Sequence, residues 1–92
     1  MTEISASAKP TISKGYRLQF EPAQNTHVLL YPEGMVKLNG SAGEILKRCD
    51  GVRTLNEIVA DLESTYSQTN LTADVNAFVS WALDKKWLEI RE

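Results

Sequence analysis

Residues 27–38 read His27-Val28-Leu29-Leu30-Tyr31-Pro32-Glu33-Gly34-Met35-Val36-Lys37-Leu38, and the organisation of the rest of the chain follows from this run. Both halves of the run are rich in β-branched, aromatic and other apolar residues, which favour strands. Between the halves, Pro32 fixes its own φ angle and Gly34 permits a positive φ, as a tight turn requires. The run therefore predicts a β-hairpin formed by residues 27–31 and 35–38.

A further strand is predicted before the hairpin. Residues 16–20 read Tyr-Arg-Leu-Gln-Phe and alternate between apolar and polar, which is typical of a half-buried strand. The polar residues 21–26 connect this strand to the hairpin. Residues 1–15 are mostly small and polar, so they predict a flexible N-terminal arm. The folded domain is then expected to span residues 16–92.

After residue 40 the apolar residues recur with a helical period. Ser41 with Glu44, and Thr54 with Glu57, match the capping-box pattern at the start of two helices. Thr72 is predicted to cap a third helix. The three apolar stripes are Ala42, Ile45, Leu46 and Cys49; Leu55, Ile58, Val59, Leu62 and Tyr66; and Val75, Phe78, Val79, Ala82 and Leu83.

Three strands followed by three helices indicate an α+β fold. The expected architecture is winged-helix-like, with a three-stranded antiparallel sheet followed by a three-helix bundle. The chain has 92 residues, which is enough for one domain and one modest core. A three-stranded sheet cannot close on itself, so it leaves two edges, and the sequence does not fix the order of the strands.

Composition and charge argue against several classes of protein. The formal net charge of −2 disfavours a general nucleic-acid binder, since neutralising phosphates requires an excess of Lys and Arg. No apolar run approaches the roughly 20 residues that span a bilayer. Residues 1–14 lack the apolar segment of a signal peptide. We therefore expect a cytoplasmic protein that does not contact a membrane.

The reactive residues do not form a recognisable catalytic set. His27 is the only histidine, and with no nucleophile or carboxylate arranged beside it we interpret it as a residue at the sheet surface. Cys49 is the only cysteine and lies on an apolar helix face, which favours a buried packing role. One histidine and one cysteine cannot supply a zinc site, and no calcium loop, phosphate loop or dinucleotide fingerprint occurs. The sequence predicts no enzyme activity, no metal and no cofactor.

The predicted third helix has more apolar residues than one core-facing line needs. Val75, Phe78 and Ala82 form one line, and Val79 and Leu83 form a neighbouring one. One of the two lines must face the core, and the other is either part of a wide core-facing stripe or one wall of a ligand groove. In winged-helix proteins the third helix often reads DNA, but the N-terminal half of this helix carries one anion and no cation.

Several short motifs give the chain a resemblance to a known family. They are Leu29-Leu30-Tyr31-Pro32-Glu33-Gly34, Leu38-Asn39, Glu44-Ile45-Leu46, Cys49-Asp50-Gly51, Thr54, Asp74-Val75, Phe78 and Lys86-Trp87-Leu88. With these motifs, residues 10–90 resemble the PqqD family, whose members take part in making the redox cofactor pyrroloquinoline quinone. Lys86 stands where many members of that family are expected to have glycine.

The resemblance implies a peptide chaperone or adaptor, the founding example of the recognition domains for ribosomally made, modified peptides. Such a protein is expected to bind the precursor peptide PqqA and to present it to the radical S-adenosylmethionine enzyme PqqE. In related domains the peptide adds a strand to the third strand of the sheet, in the cleft beside the third helix. A winged-helix DNA-binding regulator is the alternative function.

The same resemblance implies a set of peptide-binding residues in this chain. They are Gly34, Met35, Val36, Lys37 and Leu38 on the strand, and Asp74, Val75, Phe78, Val79, Ala82 and Lys85 on the helix. Lys37 and Lys85 are expected to attract an acidic peptide, or Lys37 instead protects the exposed strand edge against aggregation. A sheet with free edges is compatible with a monomer or with a dimer that exchanges strands.

Overall fold

The computed structural model describes residues 4–91 of the chain. In this range the elements are β1 (Lys9–Ile12), β2 (Arg17–Glu21), β3 (Thr26–Tyr31), β4 (Gly34–Lys37), α1 (Gly40–Lys47), α2 (Leu55–Tyr66), α3 (Thr72–Asp84) and β5 (Leu88–Arg91). Strands β2, β3 and β4 form an antiparallel sheet in that order, and the three helices follow it. The predicted α+β arrangement is confirmed.

The pairing of the three strands directs one face of their sheet towards the helices. Leu29 lies in the central strand and pairs with Leu18 on one side and Val36 on the other. Leu29 is fully buried, and the other two pack against the core. The buried core residues of the sheet and helices are Leu29, Leu38, Ala42, Ile45, Leu46, Cys49, Leu55, Ile58, Val59, Leu62, Val75, Val79, Ala82 and Leu88. The predicted hairpin is thus the element on which the helices pack.

The helix starts agree with the sequence patterns in one of three cases. Thr54 and Glu57 form the predicted capping box, in which each side chain accepts a hydrogen bond from the backbone amide of the other residue. The box predicted at Ser41 is wrong, because α1 begins earlier and the side chain of Asn39 accepts from the amide of Ala42 at 2.8 Å. Asparagine is among the best N-cap residues, and here it takes the place expected for serine.

The start of α3 is held by a contact from another helix. Leu71, and not the predicted Thr72, occupies the N-cap position, and no side chain of α3 itself caps it. The amide of Leu71 donates to the Glu63 carboxylate of α2 at 3.0 Å. A carboxylate at a helix N-terminus satisfies an unpaired amide and interacts favourably with the helix dipole. This contact joins the start of α3 to the last part of α2.

The expectation of a flexible arm over residues 1–15 is wrong for the part that forms β1. Strand β1 pairs with β5 at the other end of the chain, from Lys9 opposite Arg91 to Ile12 opposite Leu88. The Ser13 amide extends this pairing by donating to the Trp87 carbonyl at 2.9 Å. On its other side β1 bonds to the loop before α2. Residues 1–3 of the predicted arm lie outside the described residues.

The backbone conformation of the turn into β5 explains why relatives are expected to have glycine at the position of Lys86. Lys86 has a φ of 68°, in the left-handed region that favours glycine. The amide of Trp87 then donates to the Ala82 carbonyl at 3.0 Å, which closes the end of α3. A lysine is accommodated at this position, although most non-glycine residues avoid this conformation.

Helix α1 approaches the sheet closely at a glycine. A Cβ atom on Gly43 would lie 2.7 Å from Nδ1 and 3.0 Å from Cβ of His27. The His27 ring also packs edge-on against Phe20, with ring centroids 5.1 Å apart. His27 is therefore half-buried between its own sheet and α1, and not at the outer surface of the sheet as the sequence suggested. Gly43 sets the distance between the helix and the strand.

We expect Gly43→Ala to destabilise the fold by about 1 kcal/mol, because overpacking against His27 outweighs the higher helix propensity of alanine. Chemical denaturation of Gly43→Ala, His27→Ala and the double variant measures this effect. In the His27→Ala background, adding Gly43→Ala should lower the free energy of unfolding much less than it does in the unchanged chain. Additive losses in the double variant would contradict the close contact.

A buried arginine connects the ends of α1 and α2. The side chain of Arg48 is 8% exposed, and its guanidinium forms hydrogen-bonded ion pairs with Glu44 and Asp61. It also donates to the Glu44 carbonyl at 2.8 Å and to Thr65. Burial opposes the charge of Arg48, but its two carboxylate partners raise its pKa. The hydrogen bonds from Arg48 are the main cause of the lowered pKa values of both carboxyl groups.

Arg48 should make the fold sensitive to acid. The pKa values of Glu44 and Asp61 are lower in the folded chain, so the stabilisation is present above their unfolded values and is lost as the pH falls through the folded values. Arg48→Met should lower the free energy of unfolding at pH 7 by about 2 kcal/mol. It should also flatten the decline of that free energy below about pH 5, measured by urea unfolding.

Part of the acid sensitivity should survive in Arg48→Met. The Asp50 carboxylate accepts from the amides of Arg53 and Val52, and these bonds lower its pKa independently of Arg48. Arg48→Met should therefore keep a shallower decline with acid, and Asp50→Asn in the same background should reduce it further. An unchanged pH profile in Arg48→Met would show that the arginine does not control the two carboxylates.

Candidate functional site

Strand β4 is an edge of the three-stranded sheet, and its register determines which amides are free. The Leu38 amide donates to the His27 carbonyl at 3.0 Å, so these two residues form a hydrogen-bonded pair. In an antiparallel ladder such pairs alternate with non-bonded pairs. The pairing of Leu29 with Val36 is then bonded, and the amides and carbonyls of Met35 and Lys37 face away from β3. They form the free edge.

The side chains of β4 divide between the two faces of the sheet. Val36 and Leu38 lie on the face that packs on the core. Met35 and Lys37 lie on the opposite face and are exposed, Met35 by 55%. Lys37 thus offers its backbone to the free edge while its side chain lies on the face away from the helices. Gly34 is the first residue of β4, opposite Tyr31, and has a positive φ of 157°, which residues with a side chain rarely adopt.

A cavity of about 700 Å³ opens beside the end of this edge strand. Its residues come from the start of α1, the end of α2, the loop after it, and the first half of α3: Gly40, Ser41, Glu44, Ile45, Leu62, Tyr66, Gln68, Leu71, Asp74, Val75 and Phe78. Gly40 follows the last residue of β4, Lys37, by three residues, so the cavity lies close to the end of the free edge. An apolar floor with a few polar groups at the rim is typical of a ligand site.

The helix residues named from the sequence take different positions. Asp74, Val75 and Phe78 line the cavity, and Phe78 is half-buried there. Val79 and Ala82 are completely buried in the core and have no surface to offer a ligand. They fix the orientation of α3, and the wide apolar stripe of this helix is mostly a core-facing stripe.

The structure adds a residue that the sequence interpretation left out. Trp81 is 45% exposed, and its ring centroid lies 6.0 Å from that of Phe78 and 4.8 Å from that of Trp87. The Lys85 ammonium lies 5.6 Å from the Trp81 ring centroid, in a cation–π contact. Helical spacing in the sequence could have identified Trp81, because positions 74, 78, 81 and 85 fall on one side of a helix. We call these four residues the α3 outer row.

Two carboxylates lie at the cavity, and they are held differently. Glu44 is engaged by Arg48 at 2.8 Å and lies 3.9 Å from the Lys47 ammonium. Asp74 is in the first turn of α3, where a negative charge interacts favourably with the helix dipole. Within residues 4–91, no ion pair includes Asp74. The cavity rim therefore has one anion that other side chains leave unpaired.

The cysteine considered for chemistry has a structural role. Cys49 is buried, and its thiol donates to the Ile45 carbonyl at 3.3 Å. Burial raises the pKa of this thiol to about 12, so the reactive thiolate is disfavoured. Among the described residues, no group of three or more His, Cys, Asp and Glu side chains has the arrangement of a metal site. No helix in residues 4–91 has the length and apolar character needed to span a membrane.

Comparison with known families identifies this arrangement. The family described as "Coenzyme PQQ synthesis protein D (PqqD)" matches residues 26–88, from the start of β3 to the start of β5. The matched segment includes the free edge, the cavity and the α3 outer row. The chain belongs to the PqqD family. The resemblance inferred from short motifs is thereby confirmed.

Individual relatives match almost the whole chain. A protein of Stutzerimonas stutzeri is 48% identical over 92 residues, and one of Pseudomonas aeruginosa is 49% identical over 92 residues. Each alignment covers 99% of this chain and 100% of the relative, and both relatives are named "PqqA binding protein". These PqqD relatives include the segment that forms β1 as well as the matched core of the family.

A solved structure agrees with the fold. The PqqD truncation of Methylobacterium extorquens PqqCD, determined by NMR in solution, superposes with a TM-score of 0.71 at 33% identity. The match covers 96% of each chain. That protein is described as a functional, stand-alone recognition element for ribosomally synthesised and post-translationally modified peptides.

The free edge predicts a pattern of amide hydrogen exchange within β4. The amides of Val36 and Leu38 bond to β3 and should exchange slowly, whereas those of Met35 and Lys37 should exchange at least about tenfold faster. NMR-detected exchange of the isotope-labelled chain measures all four. Equal protection of neighbouring amides would contradict either the register or the free edge.

Proposed function

We propose that this PqqD-family chain is a peptide chaperone without catalytic activity of its own. It binds the precursor peptide PqqA as an added strand on β4 and presents it to the radical S-adenosylmethionine enzyme PqqE. The observation that carries the proposal is the free β4 edge beside an apolar cavity. The names of two relatives support PqqA as the ligand, and the description of the solved neighbour supports recognition of a peptide.

In the proposed mode of binding, backbone pairing at β4 supplies affinity for any sequence, and the cavity supplies selectivity. The outward amides and carbonyls of Met35 and Lys37 would bond to the peptide backbone, which accepts any sequence. The cavity would receive a side chain of the peptide and supply the apolar contact that backbone pairing lacks. Binding must also order a flexible peptide, so we expect an affinity in the micromolar range or somewhat tighter.

Presentation to a second protein requires that the peptide remain accessible when bound. A strand added at an edge keeps its own outer side free, so the peptide can be handed on without unfolding the chaperone. The site lies on rigid elements, since β4 is fixed by β3 and α3 is fixed by its buried residues. We propose a one-to-one complex of a monomer, because a strand-exchanged dimer would use the same edge.

The alternative of a winged-helix DNA-binding regulator is not favoured by the comparisons. The α3 outer row also begins with the anion Asp74 at the cavity, a charge that repels phosphates. A cytoplasmic setting belongs to the proposal and is consistent with a lone, buried thiol in a reducing compartment.

Lys37→Pro tests strand addition. Proline removes the outward amide, and no bond to β3 is lost because that amide faces away from it. Losing one backbone hydrogen bond to the peptide should weaken PqqA binding by about 1 kcal/mol, roughly a fivefold rise in Kd. Fluorescence polarisation of labelled synthetic PqqA measures this change.

Lys37→Ala is the matched control, since it loses the same side chain and charge but keeps the amide. It should bind PqqA close to the level of the unchanged chain, and circular dichroism should show that both variants are folded. Equal binding by folded Lys37→Pro would exclude pairing at this edge. Failure of the unchanged chain to bind PqqA would exclude the proposed function itself.

A further inference from the structure

The α3 outer row carries opposite charges at its two ends. Asp74 lies at the cavity, Phe78 and Trp81 follow, and Lys85 covers the Trp81 ring at the other end. None of the ion pairs within residues 4–91 engages Asp74 or Lys85. Asp74 and Phe78 line the cavity, and Trp81 and Lys85 continue the same side of the helix as exposed residues. An exposed charge without an ion-pair partner is available to a ligand, and opposite charges at the ends give the row a direction.

The row has a defined length. Lys85 follows Asp74 by eleven positions, so the two residues are about 16 Å apart along the helix axis at roughly 1.5 Å per residue. An extended peptide rises about 3.3 Å per residue and covers this distance in roughly five residues. The two exposed or half-buried rings of Phe78 and Trp81 occupy the space between the charges.

We propose that the α3 outer row selects the charge pattern and the orientation of the bound peptide. The inference rests on the proposed function, since it concerns the same peptide. The preferred segment has a basic side chain at the cavity end beside Asp74 and an acidic side chain about five residues away beside Lys85. Apolar or aromatic side chains between them contact Phe78 and Trp81.

The two possible orientations of the bound peptide differ in their charge contacts with α3. In the favoured orientation each end charge of the peptide meets its opposite on α3. In the reversed orientation both ends meet a like charge, and backbone pairing at β4 alone does not distinguish the two as strongly. Like-charge contacts at the rim suppress a wrong arrangement more effectively than opposite charges strengthen a right one. Glu44 has a smaller part because Arg48 already engages it.

Lys85→Glu is the decisive variant, with Arg17→Glu as its control. Both make the same change of charge at exposed positions. Arg17 lies on the sheet face opposite to Leu18, which packs on the core, and therefore away from the helices. Neither residue has an ion pair to lose within the described part of the chain. Thermal melting of both variants shows that they remain folded.

Polarisation titrations with labelled synthetic PqqA at low and high salt provide the readout. We expect Lys85→Glu to raise Kd about fivefold at low salt and much less at about 0.5 M salt, where screening is strong. Arg17→Glu should change Kd less than twofold. Asp74→Asn should weaken binding about threefold, also in a salt-dependent way.

A charge-reversed peptide completes the test. PqqA in which the acidic residues are replaced by lysine should bind Lys85→Glu more tightly than the unchanged chain. The inference is overturned if Lys85→Glu and Arg17→Glu behave alike with PqqA. It is also overturned if Lys85→Glu weakens only the binding of PqqE, because the row would then contact the enzyme. The proposed function survives either result as long as the unchanged chain binds PqqA.

Discussion

The register between β3 and β4 is the constraint on which the free edge and the cavity beside it depend. With Leu29 opposite Val36, the apolar side chains of both strands face the helices and the amides of Met35 and Lys37 face outward. A slip by one residue would reverse both assignments at once, because side chains and hydrogen-bonding groups alternate along a strand. The same pairing brings His27 against Gly43 and so positions α1, whose first residues form the cavity wall.

Helix α3 has one side that packs in the core and an opposite side that includes the outer row. Its inner residues Val75, Val79 and Ala82 are buried and hold the helix in place. The outer row is free to contact a ligand because no other element of the described structure covers Trp81 and Lys85 completely. Arg48 supports this arrangement by joining α1 to α2, both of which contribute residues to the cavity. A rigid wall is useful to a peptide binder, since little entropy is then lost by the protein on binding.

The small sheet of β1 and β5 has a role in the site as well as in closing the fold. The Ser13 amide bonds to the Trp87 carbonyl, and the Trp87 ring packs edge-on against Trp81. The N-terminal strand therefore helps to fix the far end of the α3 outer row. Sequence inspection missed this sheet, because a four-residue strand has too little alternation to be recognised and its partner lies at the opposite end of the chain.

Much of the architecture was determined by local sequence. The hairpin around Pro32 and Gly34, the helical periods and the capping box at Thr54 each depend on neighbouring residues, and all three are present in the structure. Short motifs were also sufficient to identify the PqqD family. The edge position of β4 and the pairing of β1 with β5 were decided only by tertiary structure, because strand order reflects contacts between distant segments. For the same reason the apolar pattern of α3 did not reveal that Val79 and Ala82 belong to the core while Trp81 remains exposed.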